Sequence, residues 1–585
     1  MRSVDSATSS AMDPYSLEIL KSKLLAISEE MSVVLARTSM SPIVYEVLDF
    51  ACGLTDPEGQ VIAQANGLTL FTGTFATQVQ SVIDKFGRAA IKPGDIFMTN
   101  GPYDGGTHTC DIALIQPIYV DSELVGFGVS ITHWTEVGGK TPGSVSPDAT
   151  EIYQEGLQFP IIHIVQQGQI VEEVVDIIRA NVRLPLMSLG DLNAGIAACR
   201  IAERRLLEMC RRYGLESVRH AYSAILEHGE RLARSAIQRI PDGVYEAEDF
   251  IDGDGISDDL IPIRVEITVA DDEMTVDFTG CAPQRPGPIN CTYGALLSAC
   301  KTVFKAITDP QAPSNEGWFR PFKIIIPEAT VFSAVRPAPT GWYYEASAYA
   351  TELVWKSLAA VLPERLTAGS YLSLCATYLG GVLDESGEVW VHPEPHNGGW
   401  GAGRGMDGQN GLIATTDGDT NNYPVELLES KFPLLVERYS LNDEDGGGGG
   451  QWRGGLGLIR EYRLLDSTAF LHASLGRNSV RPWGLAGGQP GSNNYVEVHR
   501  DGEVMRCARI AYYPLQRGDV IRILTGRGGG YGDARSRPLG LVIADVRNGY
   551  LSHEQARSDY EVVLREDFSI DQAATDALGA SRRAR

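Results

Sequence analysis

Apolar residues recur every three or four positions near the start of the chain. Asp13 and Pro14 precede this pattern, where an aspartate caps free backbone N–H groups and a proline at the first helical position sacrifices no hydrogen bond. Six apolar residues then fall on one stripe of a helix: Leu17, Leu20, Leu24, Ile27, Met31 and Val34. We predict a helix that ends before Pro42 and packs one face on the rest of the protein.

Different patterns follow this first helix. Residues 50–64 predict a strand, a turn at the Asp-Pro-Glu-Gly of 56–59, and a second strand. Residues 75–86 predict a helix, and residues from about 187 to 237 predict a helical section that is charged on one side. The N-terminal half is therefore predicted to mix helices and strands.

Glycine is concentrated in the C-terminal part, where 29 of the 63 glycines lie between Gly398 and Gly540. This density favours tight turns between strands. Four short runs are predicted strands: 458–464, 494–498, 520–524 and 541–545. The predicted fold class is α+β, with a mixed N-terminal half that contains the helical section and a β-rich, glycine-rich C-terminal region. We divide the chain approximately into an α+β region with the candidate site (1–240), an α+β middle region (241–390) and the β-rich region (391–585).

The formal net charge is −25, from 50 basic and 75 acidic residues. An acidic surface repels nucleic-acid phosphates and anionic lipids, and no run of Lys and Arg provides a basic patch. Nucleic-acid and membrane partners are therefore not expected, whereas small molecules and other proteins are. No stretch reaches the roughly 18 apolar residues of a spanning helix, and residues 1–12 lack the apolar core of a secretion signal, which predicts a cytoplasmic protein. The nine scattered cysteines include no C-x-x-C pair, which argues against a disulfide framework or a zinc ribbon.

The most informative stretch is 99–134, which contains His108, Cys110, Asp111 and His133. If 111–120 and 123–133 form a hairpin about the turn at 121–122, opposed residue numbers sum to about 243. His133 then lies opposite Cys110 and diagonal to His108. Asp111 joins both histidines only if the backbone bends between His108 and Asp111, and the glycines at 105 and 106 favour such a bend.

Two neutral imidazoles and one carboxylate form a ligand set for a divalent transition metal with open positions for water or substrate. The alternative is that each histidine only hydrogen-bonds a loop. A fourth ligand is expected from Glu46 or Asp49, which precede the strand that begins at 50.

No phosphate-binding loop is predicted. Residues 138–141 read Gly-Gly-Lys-Thr, but Trp134 occupies the position of the opening glycine. The glycine-rich segment 526–532 is predicted to lead into a strand, not into a helix that could bind pyrophosphate. His392 and His396, in a predicted Pro-rich loop, and the remaining histidines are interpreted as structural.

Many short motifs, in one order over nearly the whole chain, resemble the hydantoinase B / oxoprolinase family. The motifs are Asp13-Pro14, Leu48-Asp49-Phe50, Gly105-Gly106-Thr107-His108-Thr109-Cys110-Asp111, His133 to Gly139, Thr141 to Ser144, Thr150 to Gly156, Gly190 to Leu192, Asn422 to Glu426, Arg453 to Gly457 and Gly528 to Asp533. The family comprises the metal-bearing subunits of ATP-dependent hydantoinases, lactamases and oxoprolinases, and the corresponding subunits of acetone and acetophenone carboxylases.

The resemblance implies a divalent metal (Zn, Mn or Fe) bound by His108, Asp111 and His133, with Asp49 as the expected fourth ligand. It also implies a hetero-oligomer in which ATP and Mg²⁺ bind to a hydantoinase A-type ATPase subunit. A water on the metal is then expected to attack a cyclic amide that ATP activates.

Three positions depart from the family pattern. The first motif continues as Asn100-Gly101-Pro102, Trp134 follows the third ligand, and the loop 67–73 contains no histidine. These changes leave the substrate open, since a less polar pocket suits a bulkier or aromatic compound.

The first functional hypothesis is a subunit that helps to open the ring C–N bond of a cyclic amide. Two alternatives are a subunit of an ATP-dependent ketone carboxylase and a non-catalytic scaffold subunit.

Overall fold

The structure is a computed structural model that describes residues 13–418 and 420–583. Residues 1–12, on which the argument about a secretion signal rested, lie outside this part of the chain. None of the helices in the described ranges is long and apolar enough to cross a membrane. The α-helices of the described residues are α1 (Pro14–Thr38), α2 (Pro42–Tyr45), α3 (Thr69–Thr72), α4 (Phe75–Phe86), α5 (Glu172–Asn181), α6 (Pro185–Tyr213), α7 (Leu215–Ile237), α8 (Tyr293–Thr308), α9 (Tyr343–Ala359), α10 (Val425–Lys431), α11 (Leu539–Arg547), α12 (His553–Tyr560) and α13 (Gln572–Arg583).

The strands of the described residues form four sheets. In chain order they are β1 (Phe50–Thr55), β2 (Val61–Gln64), β3 (Ile96–Thr99), β4 (Asp111–Val120), β5 (Glu123–His133), β6 (Ile162–Gln166), β7 (Gln169–Ile170), β8 (Gly243–Asp252), β9 (Leu260–Ala270), β10 (Glu273–Asp277), β11 (Phe322–Ile325), β12 (Thr377–Val382), β13 (Val389–Glu394), β14 (Leu434–Leu441), β15 (Leu458–Leu464), β16 (Thr468–Ser474), β17 (Tyr495–Arg500), β18 (Glu503–Cys507), β19 (Arg509–Gln516) and β20 (Val520–Leu524).

The candidate site lies at one end of a seven-stranded sheet with the order β2-β1-β5-β4-β3-β6-β7. The other sheets have the orders β11-β10-β9-β8, β13-β12-β16-β19 and β14-β15-β20-β17-β18. The predicted α+β class is confirmed, while the division at 240 and 390 stays a prediction.

Helix α1 shows how the apolar pattern fixes a helix. The Asp13 carboxylate accepts hydrogen bonds from the backbone N–H groups of Tyr15 and Ser16, which caps the first turn. Leu20, Leu24 and Met31 are then buried on the face that the spacing predicts. The predicted helices at 75–86 and 187–237 are likewise confirmed as α4 and as α6 with α7.

Helix α6 packs directly on the hairpin that carries the candidate site. A methyl group placed at Gly128 of β5 would lie 2.7 Å from the Ala202 side chain of α6, so only a glycine permits this approach. The buried core around the hairpin includes Leu114, Ile131 and Cys199. The hairpin forms the centre of the sheet, and a long helix covers one of its faces.

One of the four predicted C-terminal strands is wrong, because residues 541–545 lie in helix α11. A short apolar run fits a buried strand and a helix equally well, and Pro538 immediately before the helix is compatible with either. The other three runs lie in β15, β17 and β20 as predicted. The glycine-rich segment 526–532 is consequently followed by a short 3-10 turn and a helix, not by a strand.

The glycine-rich segments are also not simple turns between strands. They pack backbone against backbone: Gly455 donates its N–H to the Trp400 carbonyl at 2.9 Å, and Gly528 donates to the Gly455 carbonyl at 3.0 Å. A methyl group at Gly455 would lie 1.8 Å from the Gln409 carbonyl oxygen. Glycine is needed here because there is no space for a side chain between neighbouring segments.

Candidate metal centre

The β4–β5 hairpin pairs Asp111 directly with His133. This corrects the predicted register, which placed His133 opposite Cys110. Next to the turn, Val120 pairs with Glu123, and the residue numbers sum to 243 as predicted. Between Tyr119 and Ile118 the register shifts by one residue, so the numbers of the remaining pairs sum to 244. A β-bulge of this kind is not visible in the apolar pattern. Its consequence is that Asp111 and His133 share one face of the sheet, and the predicted bend lies between His108 and Asp111.

A tight turn brings His108 to the same point. The backbone N–H of Asp111 donates to the His108 carbonyl at 3.1 Å, and Gly105 adopts the left-handed region with φ of 92° at the start of the loop. His108 Nδ1 lies 2.7 Å from Asp111 Oδ2, and His133 Nδ1 lies 3.2 Å from Asp111 Oδ1. One carboxylate thus contacts both imidazoles, and the Thr107 hydroxyl donates to it as well.

Asp49 reaches the centre from the neighbouring strand. It immediately precedes β1, which pairs with β5, and its carbonyl accepts the backbone N–H of His133 at 3.1 Å. The pKa of Asp49 is raised to about 7, mainly by burial. His133 lowers this pKa and Asp111 raises it, but both effects are smaller than that of burial. Asp49 Oδ1 is buried and has no hydrogen-bond partner among the described residues. Asp49 is therefore available to a cation.

The other groups considered near Asp49 are not comparably placed. None of the ion pairs between described residues joins Asp49 to Arg37. Glu46 lies at the end of α2, where its backbone N–H donates to the Pro42 carbonyl. Asp49 is electrostatically coupled to His133 and Asp111. The unpartnered, buried Oδ1 of Asp49 and this electrostatic interaction favour Asp49 over Glu46 as the fourth ligand.

The charges of the centre suit a divalent cation. Burial opposes ionisation of Asp111, but the two imidazoles outweigh it and hold the pKa of Asp111 well below its usual range. Burial lowers the pKa of His108, which favours the neutral imidazole that a metal requires, whereas Asp49 and Asp111 outweigh burial and raise the pKa of His133. His108 Nδ1 is buried and makes no properly aligned hydrogen bond, although it lies close to Asp111. The unpartnered His108 Nδ1 and Asp49 Oδ1 at this centre fit a metal site.

Cys110 is a further donor beside the two imidazoles. Its sulfur and one nitrogen each from His108 and His133 lie within 4.8 Å of one another. Burial raises the pKa of the Cys110 thiol, and nearby carboxylates raise it further. The sulfur also lies 3.9 Å from the Gly143 carbonyl oxygen, to which the thiol donates. Asp111 is the stronger candidate for a third ligand, because its carboxylate contacts both imidazoles while the Cys110 thiol donates to a carbonyl group.

Aromatic residues at the start of α9 form a wall that the sequence analysis did not identify. The ring centroid of Tyr343 lies 4.9 Å from that of His108, and the Tyr344 centroid lies 6.5 Å from it. The Trp342 ring lies 5.4 Å from Tyr344. These residues are far from His108 in the chain, so no local motif links them to the site.

Glu155 holds that wall in place. Its buried carboxylate accepts the backbone N–H groups of Thr340 at 3.1 Å and Gly341 at 2.7 Å, just before α9. The pKa of Glu155 is raised to about 8 because burial outweighs the two N–H donors, which lower the pKa. Glu155 lies in the motif at 150–156, but no role was predicted for it from the sequence.

Asp417 is a second buried carboxyl group near Asp49. Burial raises the pKa of Asp417 well above its usual value, and Asp49 and Glu345 raise it further. Its loop is fixed by a hydrogen bond of 2.6 Å from the Thr69 hydroxyl to the Thr416 carbonyl. The loop 67–73, one of the departures from the family pattern, therefore contacts the loop that carries Asp417.

A separate pair of histidines is engaged by protein contacts. His392 lies in β13, not in a loop as predicted, and its Nε2 lies 3.0 Å from Glu394 Oε2. His396 Nε2 lies 2.9 Å from the Thr377 hydroxyl. Arg460 also pairs with Glu394 at 3.3 Å. These contacts agree with a structural role for both histidines.

Comparison with known proteins identifies the family. The family model for hydantoinase B/oxoprolinase matches residues 13–534, and the chain therefore belongs to this family. It is 33% identical to a protein of Pseudomonas sp. strain NS671 that is named as the putative B-type component of a D-/L-hydantoinase, over 97% of this chain and 98% of that protein.

Two solved structures share the fold. The crystal structure of the ATP-dependent caprolactamase from Pseudomonas jessenii matches with a TM-score of 0.89 and 30% identity, over 97% of this chain and 99% of the other. A nucleotide-free structure of acetone carboxylase matches with a TM-score of 0.90 and 20% identity, over 98% of this chain and 83% of the other. The second match shows the fold alone.

Proposed function

We propose that this chain is the metal-bearing subunit of an ATP-dependent enzyme that opens the ring C–N bond of a cyclic amide. The observation that carries the proposal is the buried Asp111 carboxylate in contact with both His108 and His133, with the unpartnered Asp49 oxygen beside them. The similarity to a hydantoinase component and to a caprolactamase supports the substrate class.

The residues that hold the metal are proposed to be His108, Asp111, His133 and Asp49, and the metal to be Zn, Mn or Fe. A divalent cation bound there lowers the pKa of a water ligand and polarises a carbonyl group. Asp111 orients both imidazoles, while the ring of Tyr343 packs against His108 and shields it from bulk water. A buried site of this kind strengthens every electrostatic interaction with the bound amide.

ATP and Mg²⁺ are proposed to bind to a partner subunit of the hydantoinase A type, so that the enzyme is a hetero-oligomer. The name of the hydantoinase relative supports this division, since it describes one component of a larger enzyme. The alternative reaction, carboxylation of a ketone, predicts ATP turnover that depends on bicarbonate. The scaffold alternative predicts a chain that holds no metal.

The isolated chain is expected neither to bind nor to hydrolyse ATP. The segment 526–532 is followed by a helix, contrary to the prediction, so the absence of a helix no longer argues against a nucleotide site. The segment contains no lysine that could bind a phosphate group, and this argument remains. Calorimetric titration of the isolated chain with ATP and Mg²⁺ should show no binding at micromolar concentrations. Micromolar binding by this chain alone would contradict the proposed division of labour.

The Asp49→Asn variant is expected to release its metal to a chelator faster than the wild type and to lose most of its turnover. The substitution keeps the size of the side chain and removes the charge that binds the cation, while the fold should stay intact. The matched control is Glu46→Gln, which removes a carboxylate three residues away. If Glu46→Gln loses metal and Asp49→Asn retains it, Glu46 is the fourth ligand.

A further inference from the structure

We propose that the Tyr344 hydroxyl and the Trp342 indole N–H bind an oxygen atom of the substrate beside the metal centre. This inference rests on the proposed function and adds two substrate-binding residues to it. Neither residue belongs to a motif on which the family resemblance rests.

Both groups are buried polar groups without a hydrogen-bond partner. Trp342 is 1% exposed and Tyr344 is 6% exposed, and neither Trp342 Nε1 nor Tyr344 Oη has a partner among the described residues. Leaving a buried donor unpaired is unfavourable, because the hydrogen bonds that it made with water in the unfolded chain are not replaced. Two such donors on neighbouring residues therefore indicate a ligand or an ordered water that completes them.

The surroundings place the rings that carry these donors beside the site. The Tyr344 ring lies 5.7 Å from Tyr343, which itself packs edge-on against His108. Trp342 packs against Tyr378 at 6.1 Å. The Tyr344 hydroxyl also lies close enough to Tyr378 and Asp417 to interact with them electrostatically. Tyr343, in contrast, lies near Thr107, and its hydroxyl is not among the unpartnered buried groups.

The wall is held in position independently of any ligand. Glu155 binds the backbone N–H groups of Thr340 and Gly341, and the Asn290 side chain donates to the Pro339 carbonyl at 3.0 Å. These hydrogen bonds therefore fix the position of Trp342 and Tyr344 at the start of α9. Prepositioned donors of this kind lose little entropy when they bind a ligand.

The chemistry of the donors selects the ligand atom. An indole N–H only donates, so its partner must be an acceptor and is not the cation. A phenol hydroxyl donates readily to a carbonyl or carboxylate oxygen. The carboxylates of Asp49 and Asp111 lie on the metal side, so the site offers a cation on one side and neutral donors on the other. A ring amide that presents a carbonyl or carboxylate oxygen to the aromatic wall fits both sides.

The test uses the complex of the chain with its ATPase partner and three ring amides, namely hydantoin, caprolactam and 5-oxoproline. Tyr344→Phe removes only the hydroxyl oxygen, and Trp342→Phe removes the indole N–H. We expect Tyr344→Phe to lower kcat/KM about tenfold to a hundredfold for the amide that the wild type opens. The metal content of Tyr344→Phe should equal that of the wild type. Its thermal stability should equal or exceed that of the wild type, because the substitution removes an unpaired buried hydroxyl group.

Tyr349→Phe is the matched control on the same helix. The Tyr349 hydroxyl donates to Asp252 at 2.8 Å and accepts the backbone N–H of Arg477 at 3.1 Å. Its loss should lower stability and leave kcat/KM unchanged, the opposite of the result for Tyr344→Phe. This contrast separates substrate binding from a purely structural role.

Three outcomes decide the inference. A tenfold or greater loss of kcat/KM in Tyr344→Phe, with metal retained, supports it. A change of less than about twofold in both Tyr344→Phe and Trp342→Phe overturns it and assigns the donors to a buried water. Absence of amide-dependent turnover in a metal-loaded wild-type complex overturns the proposed function, and this inference with it.

Discussion

The His108→Ala variant is expected to lose its bound metal and to retain less than about 1% of the wild-type activity. Even residues that only orient a ligand contribute about tenfold to a hundredfold to affinity or activity, so removal of a ligand should have a larger effect. His108 is buried and in contact with Asp111, and no other imidazole of the described residues is placed to replace it there. Elemental analysis of the purified chain measures the metal content directly.

The control for this experiment is His553→Ala, which removes an exposed histidine of α12. It should keep full metal content. Equal metal per chain in His108→Ala and in the wild type would show that the site is wrong. Full metal content in His133→Ala alone would require a different ligand set, with Cys110 as the next donor to examine.

The Gly455→Ala variant is expected to be destabilised by about 3 kcal/mol or more, or not to fold. A methyl group there would lie 1.8 Å from the Gln409 carbonyl oxygen and 2.5 Å from its carbon. Both are backbone atoms within the packed glycine segments, so they cannot move aside as a flexible side chain would. Chemical denaturation measures the change in the free energy of unfolding.

Gly540→Ala provides the matched substitution in open space. No atom lies within 4 Å of a methyl group at Gly540, which is the second residue of α11. Alanine favours a helix over glycine by up to about 1 kcal/mol, so this variant should be as stable as the wild type or more stable. Similar unfolding free energies for the two variants would contradict the account of the glycine segments.

Local patterns in the sequence were enough to predict α1, α4 and the two strands of the site hairpin. Their hydrophobic spacing and turn residues act over only a few positions, and the structure has the same elements at nearly the same limits. The register of the hairpin was wrong by one residue at the site, because a bulge in the middle of the hairpin shifts all the pairs beyond it. The pairing of Asp111 with His133 follows from that shift.

Contacts between distant parts of the chain could not be predicted. The wall at Trp342 and Tyr344 is fixed by Glu155, whose partner Thr340 lies 185 positions further along the chain, and no periodicity connects such positions. The packed glycine segments have the same origin, because glycines such as Gly455 and Gly528 leave room for the backbone of a neighbouring segment. Residues 541–545 were assigned to a strand because a short apolar run carries too little information to separate a strand from a helix.

The central claim is that a metal held by this chain and ATP held by a partner act together on a cyclic amide. The most direct measurement is ATP hydrolysis by the co-purified complex with hydantoin, caprolactam or 5-oxoproline, before and after the metal is removed with a chelator. We predict amide-dependent ATP hydrolysis with ring opening, loss of ring opening on metal removal, and recovery when Zn, Mn or Fe is added back. Ring opening at an unchanged rate by the metal-free complex, or ATP hydrolysis that requires bicarbonate and a ketone in place of the amide, would contradict the account.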